Sequence, residues 1–127
     1  MQDEPTPIEL TRAVADFLKS EIAPAITGHQ AFKLRVAINM LDLVARQLAL
    51  AEGSEAAEAR RLAQLLGLDG SLLELNRVLT ERIAKGEVDL ATPGLSEHLW
   101  RTTMDKLAVD QPNYASYKRE LRREDGG

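Results

Sequence analysis

The stretch from Phe32 to Leu50 constrains this chain more than any other feature of its sequence. At about 100° per residue, apolar side chains cover most of the circumference of a helix here and leave one narrow polar stripe. The stripe consists of Arg35, Asn39, Asp42 and Arg46. Because such a helix is stable in water only when other elements pack against several of its sides, we expect one central helix over residues 28–51 that stops before Gly53.

Signals for helix starts and stops predict four shorter helices around this one. Thr6, Pro7 and Glu9 form a helix start, in which a hydroxyl caps the helix, proline takes the first position and glutamate the third. Ser71 and Glu74 have the spacing of a capping box. From these signals we expect helices over residues 6–23, 54–66, 71–85 and 95–109, which end before Pro24, Gly67, Gly86 and Pro112.

No run of residues has the alternating pattern of a β-strand, and the sequence has no internal repeat. The predicted fold is therefore all-α, a compact antiparallel bundle of about five helices with a long central second helix. A chain of 127 residues fits a single domain, which we place at residues 1–117. Residues 118–127 carry alternating charges without an apolar stripe, and we expect them to form a mobile charged tail.

Composition argues against several classes of protein. Without cysteine the chain can form neither disulfides nor thiolate metal sites, which is typical of a reducing cytoplasm. Its 16 basic and 20 acidic residues are interspersed, so no basic patch is available for a nucleic acid. The charges within residues 32–50 oppose a membrane span, and the acidic N-terminus lacks the pattern of a secretory signal. We expect a cytoplasmic protein that binds neither nucleic acid nor membrane.

No spacing of residues identifies a metal site or a catalytic site. The two histidines, His29 and His98, lie far apart and outside the metal-binding patterns of helical proteins. We expect His98 to be exposed or to cap the fifth predicted helix, because no ligand partner lies near it in sequence. Phosphate-binding glycine loops, serine elbows and kinase signatures are also missing. The sequence therefore predicts neither metal nor cofactor, and it disfavours an autonomous enzyme without deciding the question.

The polar stripe of the predicted central helix is the candidate binding site for a ligand or a partner. On one interpretation it is a solvated helix edge, stabilised by the i,i+4 pair of Asp42 and Arg46. On the other it faces a cleft, where Arg35 binds a carboxylate or phosphate through two hydrogen bonds and Asn39 orients that group. Both interpretations make these four residues the candidates.

Ser71 offers a different possibility. Residues 66–75 resemble the Gly-x-Asp-Ser-Leu site of acyl carrier proteins, whose serine carries phosphopantetheine. Here Gly70 separates Asp69 from Ser71, and the following helix is basic where carrier proteins are acidic. Since a turn and a helix cap account for the same residues, we expect a cap and keep a divergent acyl carrier as the alternative.

Two segments, FKLRVAINML at residues 32–41 and KLAVDQPNY at residues 106–114, resemble a bacterial family of domains of unknown function, family 6285. The opening segment, Pro5 through Leu18, is similar to that family as well. Genes for its members lie beside, or are fused to, those of aminoglycoside-phosphotransferase-like kinases and acyl-CoA dehydrogenases. The resemblance therefore implies an accessory role near acyl-CoA metabolism, and it implies no catalytic residue.

Taken with the residues, this resemblance favours an accessory or interaction module. We expect it to dock through a helix face on a kinase-like or dehydrogenase-like partner, or on a second copy as a homodimer, because the predicted central helix is apolar over so much of its surface. The alternative from another functional class is a protein or enzyme that binds a small anionic ligand in a cleft at Arg35 and Asn39.

Overall fold

The computed structural model describes residues 4–126, and within them all regular structure is helical. The five α-helices are α1 (Pro7–Phe17), α2 (His29–Leu66), α3 (Leu72–Ala84), α4 (Leu95–Asp110) and α5 (Ala115–Gly126). A π-helical turn, Leu18–Ile22, and a 3-10 turn, Ala23–Ala25, follow α1. The predicted all-α class, with about five helices and a long second helix, is confirmed.

α1 begins as the sequence predicts. The hydroxyl of Thr6 accepts a hydrogen bond from the backbone N–H of Glu9 at 3.2 Å, and Pro7 takes the first helical position. Proline costs no hydrogen bond there, because the first N–H groups of a helix have no partner within it. The helical path then continues through the π-helical and 3-10 turns and ends close to Pro24.

α2 is 38 residues long and joins two of the predicted helices into one. The expected stop before Gly53 and new start at Ser54 are therefore wrong. Gly53 is not among the glycines with positive φ, so the backbone hydrogen bonds of the helix continue through it, and the alanine-rich residues after it favour helix. The helix ends instead at Gly67, which has a left-handed φ of 67°.

The chain divides into two compact units, Met1–Ala51 and Glu52–Gly127, and the boundary falls inside α2. The first unit contains α1 and the first part of α2. The second contains the remainder of α2 together with α3, α4 and α5. Whether the chain unfolds as the single domain over residues 1–117 stays a prediction.

Few of the described side chains of the first unit are buried, and the expectation that neighbours pack against several sides of residues 28–51 is wrong. Its buried residues are Ala15, Ile38 and Ala45, of which the last two lie on one face of α2. In this unit, seven large apolar side chains of α2 are at least 36% exposed: Phe32, Val36, Met40, Leu43, Val44, Leu48 and Leu50. Apolar composition identified a helix here, but it did not show which sides of the helix would find partners.

A continuous apolar core lies in the second unit. Leu62 is fully buried at its centre, and its neighbours come from α2, α3, the loop after α3 and the start of α4. The buried members of this core are Leu62, Leu66, Leu75, Leu79, Val88 and Leu95. At roughly 1.5–3 kcal/mol for each large apolar side chain removed from water, this cluster is the main hydrophobic contribution to folding of the unit.

α5 occupies most of the segment that we expected to be a mobile tail. Tyr117 is buried, and the carboxylate of Glu124 accepts a hydrogen bond from Trp100 Nε1 at 3.3 Å and lies 3.6 Å from Arg101 Nη1. The helix has one buried ring and polar contacts to α4 in place of an apolar stripe, which is why periodicity did not predict it. The structure thus has a helix where we predicted none, and the mobility of this segment stays a prediction.

Candidate functional site

In the structure, the predicted polar stripe lies in the N-terminal part of α2. Arg35 and Asn39 are exposed, while Asp42 and Arg46 are partly buried. Asp42 lies 3.6 Å from the ammonium group of Lys19, in the π-helical turn after α1. All four residues share one side of the helix, as predicted from their spacing. Their binding of a ligand or partner stays a prediction.

A second polar cluster, which sequence analysis missed, surrounds Arg61 in the later part of α2. Its Nε donates a hydrogen bond to His98 Nδ1 at 3.4 Å, and its Nη2 donates one to the hydroxyl of Thr102 at 3.3 Å. The two acceptors lie one turn apart on α4. The Nε–Nη2 edge of the guanidinium is therefore occupied by two groups from a neighbouring helix.

His98 is only 3% exposed, so the expectation that it is exposed or caps a helix is wrong. Burial and the positive charge of Arg61 lower the pKa of His98 from its ordinary value of 6.5, against a smaller opposite effect of Glu58. A hydrogen bond from Arg61 to Nδ1 requires the neutral form of the ring with its proton on Nε2, and the lowered pKa favours that neutral form.

Side-chain apolarity predicts only part of the inward face of α4. The apolar spacing favours a core face made of Leu99, Trp100, Met104, Leu107 and Ala108. Met104 is buried, but Leu99 and Trp100 are 43% and 42% exposed, and the polar His98 is buried in their place. A polar residue can be buried when another element satisfies its hydrogen bonds, and Arg61 does so for His98. Only a partner distant in sequence reveals this, so a local pattern gives no signal for it.

Arg61 also lines a cavity of about 300 Å³ beside the start of α4. The remaining lining residues are Gln64, Leu65, Pro93, Gly94 and Glu97. Gly94 has a φ of 93°, a conformation that side chains with a Cβ rarely adopt, and a Cβ there would lie 3.5 Å from the side chain of Leu65. Glycine therefore shapes both the turn into α4 and one wall of the cavity.

Two opposite charges line this cavity. Glu97 Oε1 accepts a hydrogen bond from Arg101 Nε at 3.1 Å, one turn further along α4. Arg61 forms an ion pair with no carboxylate of residues 4–126, Glu97 included. The cavity thus combines a guanidinium that has no ion-pair partner among the described residues with a carboxylate that is ion-paired to Arg101 through one oxygen, and this arrangement can recognise charged groups of a ligand.

Ser71 has the geometry of a helix cap. Its hydroxyl accepts a hydrogen bond from the backbone N–H of Glu74 at 3.1 Å, and its own N–H donates to the carboxylate of Glu74 at 3.3 Å. The predicted capping box is confirmed. Nothing in this geometry favours an acyl carrier over the cap.

Residues 4–126 contain no group of three or more His, Cys, Asp or Glu side chains that could hold a metal ion. Over the same range, no helix combines the length and the apolar character that crossing a bilayer requires.

Comparison with known proteins connects the chain to a family. No curated protein and no solved structure matches it. A family model described as a domain of unknown function, DUF6285, matches residues 24–114. This range runs from the 3-10 turn before α2 to the loop before α5, and it contains both the polar stripe and the Arg61 cluster. Since the match covers well over half of the sequence, the chain belongs to the DUF6285 family.

Proposed function

We propose that this chain is a non-catalytic accessory module that binds a helical surface of a partner protein. The observation that carries the proposal is a set of exposed apolar side chains along α2, which we call the α2 row. It consists of Phe32, Val36, Met40, Leu43 and Leu50, which are 55%, 37%, 60%, 36% and 42% exposed. At about 100° per residue, all five fall within about 80° of the helix circumference.

The spacing of the α2 row is that of a helix-packing surface. Val36, Met40, Leu43 and Leu50 lie at positions i, i+4, i+7 and i+14, which follow the a and d positions of a heptad repeat. The remaining position of this series, i+11, is the exposed polar residue Gln47. A partner helix with its own apolar stripe can insert its side chains between those of the row.

The first unit exposes other apolar side chains besides the α2 row. These further residues are Leu10, Val14, Phe17, Val44 and Leu48. Together with the α2 row they bring the exposed large apolar side chains among the described residues of this unit to ten. Large contiguous apolar patches on a protein surface are typical of sites that bind a partner.

The predicted site residues border the α2 row. Asn39 lies one helical turn from both Val36 and Leu43, and Arg35 and Arg46 flank the row in the same way. Polar residues, arginine in particular, are typical of the edge of a protein interface, where they give specificity to apolar contacts. This position favours partner binding over a separate ligand cleft as the role of these residues.

The family resemblance supplies the kind of partner. It implies an aminoglycoside-phosphotransferase-like kinase or an acyl-CoA dehydrogenase whose gene lies nearby, and a second copy of this chain is the other occupant that we consider. The accessory role would then consist of attaching the chain to an enzyme, with the chemistry left to that enzyme.

Met40→Glu tests this proposal. Met40 lies in the middle of the α2 row, so the variant introduces a charge into the interface while the fold loses no buried group. We expect binding to the purified product of a neighbouring kinase or dehydrogenase gene to weaken at least about tenfold in calorimetry. If the partner is a second copy, sedimentation equilibrium of the chain alone should show the same loss.

Leu90→Glu is the matched control. Leu90 is 76% exposed in the loop before α4, so this variant places the same charge on a more exposed apolar residue of the second unit. Its binding should equal that of the unmodified chain. A chain that is monomeric at every concentration and binds neither enzyme contradicts the proposal, and so does equal weakening by the two variants.

A further inference from the structure

We infer that the cavity at the start of α4 binds a small zwitterion with a carboxylate and an ammonium group, the chemistry of amino acids. The site is formed by Arg61, Gln64, Leu65, Pro93, Gly94 and Glu97. It lies entirely within the second unit, and it is independent of the α2 row.

Arg61 is a partly buried cation, and no carboxylate of residues 4–126 lies within ion-pair distance of it. The negative charge of Glu58 acts on this cluster through space, since it raises the pKa of His98 against the larger effects of burial and Arg61. The two hydrogen bonds of Arg61 go to the neutral acceptors His98 and Thr102. Removal of a guanidinium from water is unfavourable unless a negative charge compensates for it. An anion supplied by a ligand would provide the partner that the described residues do not.

The hydrogen bonds of Arg61 to α4 leave one edge of its guanidinium available for a carboxylate. Nε and Nη2 are used toward α4, so Nη1 and the second hydrogen of Nη2 form the remaining edge. This edge presents two parallel N–H groups, which is the arrangement that binds both oxygens of a carboxylate. Because His98 and Thr102 hold the guanidinium in place, little further side-chain freedom is lost when the ligand binds.

Glu97 supplies the opposite charge at the same cavity. One of its oxygens accepts from Arg101, and the other has no hydrogen bond to the described part of the chain. A dianion such as phosphate is repelled by Glu97, and a simple cation is repelled by Arg61. A molecule with a carboxylate at one end and an ammonium group at the other can bind Arg61 and the second oxygen of Glu97, while Arg101 keeps its ion pair with the first oxygen.

The size of the cavity limits the ligand to a small molecule. Its volume of about 300 Å³ lies at the lower end of the range for small-molecule pockets. Leu65 and Pro93 provide apolar walls, and the amide of Gln64 can both donate and accept a hydrogen bond. An amino acid fits within this volume, and a molecule as large as acyl-CoA does not.

Calorimetric titration of the full chain with matched probes tests the inference. Glycine, β-alanine, 4-aminobutyrate and 5-aminopentanoate are each compared with the simple carboxylate of the same chain length. We expect at least one amino compound to bind saturably and at least about tenfold more tightly than its simple carboxylate. The chain length that binds best reports the separation of the two charges.

Substitutions identify the two ends of the site. Arg61→Lys should weaken amino compounds and simple carboxylates about tenfold or more, because an ammonium group cannot form the two parallel hydrogen bonds. Glu97→Gln should abolish the preference for the amino compound, because the side chain keeps its shape and loses its charge. Arg60→Lys changes the adjacent, exposed arginine, which does not line this cavity, and should leave every affinity unchanged.

Three results would overturn the inference: no saturable binding by any probe, equal affinity for an amino compound and its simple carboxylate, or equal weakening by Arg60→Lys and Arg61→Lys. Circular dichroism monitors the fold of each variant. If Arg61→Lys fails to fold, the loss of selectivity in Glu97→Gln still decides the question, because Glu97 is exposed and its variant leaves the Arg61 hydrogen bonds in place.

Discussion

The buried ring of His98 makes the stability of the folded chain depend on pH. Burial and Arg61 lower its pKa in the folded state below the ordinary value of 6.5, so the unfolded chain takes up a proton at a pH at which the folded chain does not. The contribution of His98 to folding is complete above that value and is lost as pH falls from 6.5 to the lowered pKa. We therefore expect the urea midpoint to fall over this window, as measured by Trp100 fluorescence.

His98→Gln separates this contribution from those of the acidic residues. Its amide oxygen can still accept the hydrogen bond of Arg61, but the side chain no longer titrates. The free energy of unfolding of this variant should depend less steeply on pH below 6.5 than that of the unmodified chain. His29→Gln removes the exposed histidine at the start of α2 and is the control, for which we expect the original slope. If the pH dependence of the free energy of unfolding becomes less steep in His29→Gln and not in His98→Gln, it does not come from the Arg61–His98 pair.

Single residues were predictable from the sequence where their partners lie within one helical turn. The caps formed by Thr6 with Glu9 and by Ser71 with Glu74 span three residues each, and a local spacing rule identifies both. Arg61 and His98 are 37 residues apart, so no such rule connects them. Their hydrogen bond depends on the packing of α4 against α2. That packing buries His98, which we expected to be exposed or to cap a helix.

At the scale of helices, Gly53 decides whether α2 is one element or two. It lies within the helix, and a Cβ added there would meet no atom within 4 Å. We expect Gly53→Ala to raise the free energy of unfolding by about 0.5–1 kcal/mol, because alanine restricts the unfolded chain and favours helix. Urea unfolding monitored by circular dichroism measures the change.

Gly67→Ala is the matched control for this prediction. Gly67 ends α2 with a φ of 67°, so alanine should lower the free energy of unfolding by about 1–2 kcal/mol. The two substitutions therefore have opposite signs if α2 is continuous. If the helix stopped at Gly53, as its sequence suggests, that glycine would also be left-handed and both substitutions would destabilise the chain.

Helix positions followed from capping and apolar spacing only where each helix has an apolar face of its own. α3 has one, whose apolar spacing predicts Leu72, Leu75, Leu79 and Ile83 as its core face. Ser71 caps the helix as predicted, and Leu75 and Leu79 are buried, but Ile83 at the end of this face is 43% exposed. α5 has no apolar stripe, and its contacts to α4 run through Glu124. Such a helix is stabilised by its contacts with a neighbouring helix, so the pattern of its own residues does not predict it.

At the scale of the whole molecule, the two units differ in how much apolar surface they bury. The first unit buries Ala15, Ile38 and Ala45, whereas the second has a continuous core around Leu62. Since burial of apolar surface is the main driving force of folding, the second unit should be the more stable one. The sequence predicted the all-α class from periodicity, but no linker marks a boundary that falls inside a continuous helix.

Leu62→Ala and Ile38→Ala test whether the units unfold separately. Leu62→Ala should remove about 2–5 kcal/mol from the second unit and lower the urea midpoint of Trp100 fluorescence, because Trp100 lies in that unit. Ile38→Ala affects the first unit, so it should lower an early transition in circular dichroism while the Trp100 midpoint stays in place. If both variants shift one shared transition, the chain instead unfolds as the single domain over residues 1–117. In that case the stability lost in Ile38→Ala also lowers the urea midpoint of Trp100 fluorescence, because all parts of a cooperative domain unfold together.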